Sequence, residues 1–176
     1  MKTTYLAIVL LVALFISCKE WSGAKNEAIA EISHEELLRN TYDNFVEYAW
    51  NNSNMDSLTI LMEENFVKYH NGIQIAENKS EMEANMNIYF KGFPDGRLSV
   101  DNVQVKGDNL FAQWVYMGTN TGMFGEFAPT GKKVKIHGYT HIEFNAVGKM
   151  IKEAVYFNEL ELLQQLGYTL NPPVLE

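Results

Sequence analysis

The spacing of apolar side chains changes partway along the chain. Between residues 33 and 92 they recur mostly at helical intervals, and beyond Arg97 they alternate with polar ones. The segment Ser33-His34-Glu35-Glu36 has the form of a capping box. Leu38, Tyr42, Phe45 and Ala49 then follow on one face, which predicts an amphipathic helix over 35–50, ended by the asparagine-rich stretch 51–54. A shorter helix is predicted from Asp56 with Leu58, Leu61 and Met62 on one side, then a short extended piece over 66–70 closed by Asn71-Gly72. A second capping box, Ser80-Glu81-Met82-Glu83, predicts a third helix with Met82, Met86 and Phe90 inward, stopped by Gly92 and Pro94.

From Arg97 the period is two. Gly107-Asp108 is a hairpin turn that pairs Val105 with Leu110 and Val103 with Ala112, so Leu110, Ala112, Trp114 and Tyr116 share one apolar face, core or pocket wall. Two more strands, 134–144 and 149–158, flank the loop 145–148. Counting across it pairs His141 with Lys152, Tyr139 with Ala154 and His137 with Tyr156, and a bulge would shift these side chains to the other face. A short helix over 159–166 ends at Gly167. The fold class this implies is α+β: a cone-shaped, curved antiparallel sheet with helices packed on its concave face and a natural cavity between the two layers. Residues 33–168 form that domain and 169–176 a tail.

Composition narrows the function. At 176 residues one domain is expected; 47% hydrophobic and 12% aromatic residues exclude a disordered chain. A formal net charge of -8 argues against nucleic acid or an anionic membrane surface as a general partner. The one cysteine, Cys18, cannot close an internal disulfide. Residues 5–16 form an apolar run of about a dozen, the length of an export signal and short of the roughly 20 that a spanning helix needs. With the Leu14-Phe15-Ile16-Ser17-Cys18 segment this resembles a bacterial lipoprotein signal. The resemblance implies a signal peptide over 1–17, lipidation at Cys18, a tether over 18–32, and a protein exported to the bacterial cell envelope, lipid-anchored on the periplasmic or outer-membrane side. An ordinary export signal with an incidental cysteine is the alternative.

Several motifs occur in order between about residues 69 and 167: Phe93-Pro94-Asp95, Gly107-Asp108, Trp114, Gly118-Thr119-Asn120-Thr121-Gly122, Pro129-Thr130-Gly131, Gly148-Lys149 and Gln164-Gln165-Leu166-Gly167. Together they resemble those of the SnoaL-like polyketide cyclases, within the nuclear-transport-factor-2-like superfamily. The resemblance implies the cone-shaped α+β fold and ring closure by intramolecular aldol condensation without a metal or organic cofactor, through one acid/base group and enforced proximity. It also implies an aspartate on the last strand, a few residues past a tryptophan. Those positions fall here on Asn158 and Ala154, and Asn120 replaces a histidine often present in its segment. An asparagine amide cannot take up a proton near neutral pH. His70 corresponds to a histidine that the family often places near the pocket mouth, and the superfamily tends to form homodimers.

The candidate site residues each admit a plainer alternative. Asn158 either orients a ligand carbonyl or caps the following helix. His137 and His141 share a strand face about 13 Å apart, too far to ligate one metal ion. His141 with Glu143 forms an acid/base pair beside Tyr139, or His141 is a satisfied histidine near a sheet edge. Trp114, Tyr116 and Tyr156 make an aromatic wall, or core. His70, unless it is a surface residue, and Asn120 complete the expected pocket, and Ile136, Ile142, Val155 and Phe157 are expected on the outer face. The functions expected are a cofactor-free cyclase or isomerase that moves a proton on a small carbonyl compound, a non-catalytic envelope protein that binds a hydrophobic molecule, or a purely structural or subunit-pairing role through that outer face.

Overall fold

The computed structural model describes residues 32–172; the expected signal peptide, Cys18, nearly all of the tether and the last residues of the tail lie outside them. Helix α1 (His34–Asn44) starts where Ser33 accepts a hydrogen bond from the Glu36 amide at 3.1 Å. It does not run on as an α-helix to residue 50. Over Phe45–Asn51 the winding loosens to a π-helix. A 3₁₀ turn (Met55–Ser57) and the single-turn α2 (Leu58–Leu61) follow, and Met62 belongs to the next strand instead of the helix.

Strand β1 (Met62–His70) is longer than the expected extended piece, and β2 (Ile73–Ala76) is a strand that periodicity alone does not reveal. Helix α3 (Lys79–Gly92) is capped by Asn78 and not by Ser80: the Asn78 side chain accepts from the Glu81 amide at 3.0 Å, and Glu81 reaches back to the Glu77 amide at 2.8 Å. Then come β3 (Arg97–Lys106), β4 (Asn109–Thr119), β5 (Lys133–Phe144), β6 (Met150–Phe157) and α4 (Glu159–Leu166). The α+β expectation holds, with six strands in the order β2-β1-β6-β5-β4-β3. All neighbours are antiparallel except β1 and β6, which run parallel.

The β3–β4 hairpin has the expected register, Val105 opposite Leu110 and Val103 opposite Ala112. In the β5–β6 hairpin the register differs by two residues: Glu143 faces Lys152, His141 faces Ala154 and Tyr139 faces Tyr156. A shift of two keeps each side chain on its face, so it is β4 that decides which face is inward. Trp114 opposes Gly138 and Tyr116 opposes Ile136. The even-numbered residues of β5 therefore face the helices and the odd-numbered ones face away.

The helices cover the concave face in two apolar clusters. One gathers Leu38, Tyr42, Phe45, Phe66, Met82, Met86 and Ile142 beneath α1 and α3. The other joins Phe93, Trp114, Tyr116, Ile136, Leu162 and Leu166 beneath α4. Met82 and Met86 are part of the core.

Candidate functional site

A cavity lies at the seam between the two clusters, bounded by Tyr42 and Phe45 from one and by Trp114, Tyr116 and Ile136 from the other. Its volume, counted as room for the centre of a water-sized sphere, is about 60 Å³. That is several times the ~10–15 Å³ one water requires, and it suits a slender ligand.

The aromatic walls come from sequence-distant elements. Trp50, on the π-helical turn, meets Tyr89 edge-on at 5.9 Å and Phe90 at 5.7 Å. Its neighbour Asn51 fixes that turn to β3, accepting from the Leu98 amide at 2.8 Å and donating to the Leu98 carbonyl at 3.0 Å. The Trp114 indole lies across the sheet over Gly138, where any Cβ would collide with its ring. Tyr116 packs edge-on against Tyr89 at 6.0 Å. Burial pushes the phenols of Tyr42, Tyr89 and Tyr116 well above their ordinary range, so all three remain protonated hydrogen-bond donors.

The polar groups of the cavity come chiefly from the parallel β1–β6 pair. Lys68 stands opposite Glu153 in register, and Lys68 Nζ lies 3.0 Å from Glu153 Oε2; both residues are 4% exposed. The approach is outside hydrogen-bond geometry, so Oε2 is enclosed without a hydrogen-bond partner and the contact is a charge contact. Glu153 Oε1 accepts from Thr140 Oγ1 at 3.0 Å. The Lys68 ammonium also sits 5.4 Å from the centre of the Trp50 ring, within cation–π range. Two residues along β1, on the same face, the His70 ring stacks on Phe157 at 4.5 Å. His70 Nε2 is buried and has no hydrogen-bond partner among the described residues. Burial lowers the His70 pKa below the usual imidazole value, Glu159 opposes that shift, Lys68 adds to it, and the neutral ring is favoured.

His70, Trp114 and Tyr116 line the cavity, and the remaining sequence-derived candidates do not. Tyr139, His141 and Glu143 lie on the convex face, because β4 fixes the odd positions of β5 outward. There His141 Nε2 is 2.7 Å from Asn109 Oδ1 and its ring stacks on Phe111 at 4.6 Å, the satisfied histidine of the plainer alternative. Glu143 pairs with Lys152 at 2.8 Å. Tyr156 opposes Tyr139 and is 47% exposed, outside the wall it was expected to join. Ile136 and Ile142, expected outside, are buried inward, and Val155 and Phe157 line the cavity.

Asn158 caps α4, accepting from the Glu161 amide at 3.1 Å, and does not reach the cavity. Asn120 is buried away from it in the β4–β5 connection, where all four hydrogen-bonding positions of its amide are filled. The carboxylate and lysine that do face the cavity were readable from alternation. Phe66 must be inward, which carries Lys68 and His70 with it, and the adjacent Lys152 and Glu153 cannot both face solvent. Among the described residues no three histidine, cysteine, aspartate or glutamate side chains converge to hold a metal ion.

The sequence profile of the SnoaL-like polyketide cyclases matches residues 40–166. Among solved structures, a protein from Jannaschia sp. CCS1 assigned to the SnoaL-like polyketide cyclases superposes with a TM-score of 0.71 at 22% identity, covering 81% of this chain and 99% of its own. TsrD from Streptomyces laurentii gives 0.67 at 18% identity, with 78% and 98% covered. AclR from Streptomyces galilaeus gives 0.66 at 23% identity, with 76% and 97% covered. At these identities the likeness shows a common fold. No curated protein sequence matches the chain.

Proposed function

The chain belongs to the SnoaL-like polyketide cyclase family, and from that premise we propose that it is a small-molecule pocket protein that moves a proton on a carbonyl compound. The observation that carries the reading is His70: a neutral imidazole in the cavity wall whose Nε2 is enclosed and bonded to nothing among the described residues. A base needs such a free nitrogen to remove a proton from carbon next to a carbonyl. Tyr89, held protonated in the cavity wall, supplies a donor for the oxygen on which charge develops. His70 takes the part that Tyr139, His141 and Glu143 cannot take from the convex face.

The test is deuterium exchange at the α-carbon of 1-phenyl-2-propanone in D₂O at neutral pH, followed by NMR. Catalysed exchange is expected, with a drop of about 100-fold or more in His70→Gln, since a positioned base contributes 10²–10⁴-fold. Exchange no faster than buffer, or unchanged in the variant, refutes the reading. The second reading, a non-catalytic envelope protein binding a hydrophobic molecule in the same cavity, draws on Ala154 and Asn158 at the expected tryptophan and aspartate positions. Ligand binding without exchange supports it.

Export through residues 1–17 and lipid attachment at Cys18 rest on the sequence pattern. Cys18→Ser is expected to move the protein from the membrane fraction to the soluble one, and unchanged membrane retention refutes the anchor. Pairing of two copies through the convex face is supported by its large exposed aromatics, Tyr139 at 39% and Tyr156 at 47%. Sedimentation of Tyr139→Lys is expected to shift a dimer to monomer, and a wild-type protein already monomeric refutes it.

A further inference from the structure

Two polar atoms in the cavity region are sealed and bonded to nothing among the described residues, His70 Nε2 and Glu153 Oε2. The first enters the reading above. The second is not explained by it, and neither is the lysine beside it. Taking two charges out of water costs more than a poorly aligned contact returns, and an apolar pair of similar shape is often as stable. Yet both residues are held in place. Thr140 ties one carboxylate oxygen and leaves the other turned to Lys68, while the Trp50 ring backs the ammonium.

Lys68 can only donate hydrogen bonds and ionised Glu153 can only accept them. With 3.0 Å between the two atoms, they form a rigid donor beside a rigid acceptor at a cavity wall. The complement is a ligand with an acceptor and a donor a similar distance apart. A plain ketone satisfies Lys68 and leaves Oε2 unpaired. A carboxylate also satisfies Lys68 but sets a second negative charge against Glu153. A carbonyl with a hydroxyl on the neighbouring carbon satisfies both.

Resting on the pocket reading above, we propose that Lys68 and Glu153 bind the adjacent carbonyl and hydroxyl oxygens of an α-hydroxy ketone, the carbonyl accepting from Lys68 Nζ and the hydroxyl donating to Glu153 Oε2. The rest of the ligand lies among Trp50, Tyr89 and Trp114. His70, on the same face of β1, is about 6.6 Å further along the strand at ~3.3 Å per residue.

The probes are 2-hydroxy-1-phenylethanone and 1-phenyl-1-propanone, in which a methyl group takes the place of the hydroxyl, so that shape and carbonyl are kept and nothing is left to donate. Binding is read by quenching of tryptophan fluorescence and by ligand-detected NMR. A site that expects a hydroxyl can reject an analogue without it by up to about 10⁴-fold, and a cavity that admits water gives less. The full-length wild type is expected to prefer the hydroxy ketone by about 10-fold to 100-fold. The double replacement Lys68→Met with Glu153→Leu removes both charges together and is expected to bind the two probes alike. Thr140→Val, which frees the carboxylate while keeping both charges, is expected to lower the preference without abolishing it.

Equal binding of the probes by the wild type overturns the proposal, as does no binding of either at millimolar concentration. A preference that survives the double replacement also overturns it. If that variant is unfolded by circular dichroism, the wild-type preference and the Thr140→Val result decide. The two readings fail separately: a preference without α-proton exchange sinks the His70 chemistry and leaves the oxygen-binding pair, and exchange without a preference does the reverse.

Discussion

Replacing Asn120 tests what holds the long β4–β5 connection to the end of α3. Its amide nitrogen donates to the Gly92 carbonyl at 3.1 Å and the Gly122 carbonyl at 3.0 Å, and its oxygen accepts from the Thr130 amide at 2.8 Å and hydroxyl at 3.0 Å. The residue is 1% exposed, so water cannot easily replace these bonds. At about 1 kcal/mol per bond, with more where a buried partner is stranded, Asn120→Ala should cost about 3–5 kcal/mol. Against a total stability of roughly 5–15 kcal/mol, that is a fall of ~10 °C or more in Tm.

Asn120→Asp is nearly isosteric and should be worse at neutral pH, because it turns a carboxylate toward two carbonyl oxygens. Burial and those oxygens raise the introduced carboxyl's folded pKa above its unfolded value near 3.9. Its relative stability is then fully present below that value and is lost as pH rises through the folded one. Urea unfolding at about pH 4 and about pH 8 should show the aspartate variant close to the alanine variant in acid and clearly below it in base. A loss under about 1 kcal/mol for alanine, or parallel behaviour of the two variants across that range, refutes the clamp.

Gly138→Ala places a methyl group into the Trp114 ring and should cost about 1–3 kcal/mol with a changed tryptophan near-ultraviolet signal; an unaltered spectrum and unfolding midpoint contradict that contact. His70, with its pKa lowered chiefly by burial, binds a proton less readily folded than unfolded. Stability should therefore fall as pH drops from about 6.5 through the lowered folded value, and His70→Phe should flatten that slope in urea midpoints; equal slopes rule it out. Asn158→Asp, which keeps a favoured cap at the start of α4, should leave both stability and α-proton exchange unchanged, and a gain in exchange would mean that this side chain reaches the ligand.

What could be read in the sequence follows from how far each signal reaches. The Gly107-Asp108 turn fixes two strands with almost no slack, so the inward placement of Trp114 and Tyr116 was legible from local spacing. The connection over 120–132 has no such rule, and the face of β5 passed to Tyr139, His141 and Glu143 by assumption. The alternation itself pointed the other way, since Lys133, Lys135, His137 and Glu143 are all odd and Val134, Ile136, Ile142 and Phe144 are all even. Strand β1 was hidden by Glu63, Glu64 and Asn65, poor strand formers whose pairing is settled by tertiary contact. The pairing of Lys68 with Glu153 was not legible at all, because it depends on the parallel contact of the first long strand with the last.

That parallel contact sets a timetable for the nascent chain. β1 is made early and β6 near the end, and a parallel pair cannot close through a tight turn. Until β6 arrives, Lys68 has no counter-charge, His70 has no Phe157 to stack on, and one edge of β1 is open. Loop-closure entropy must be met in full before this contact returns anything, which makes it a late step. A ribosome-bound or truncated chain lacking β6 therefore has no binding site to offer, whatever helices it has formed. The ligand, on this view, meets only finished molecules.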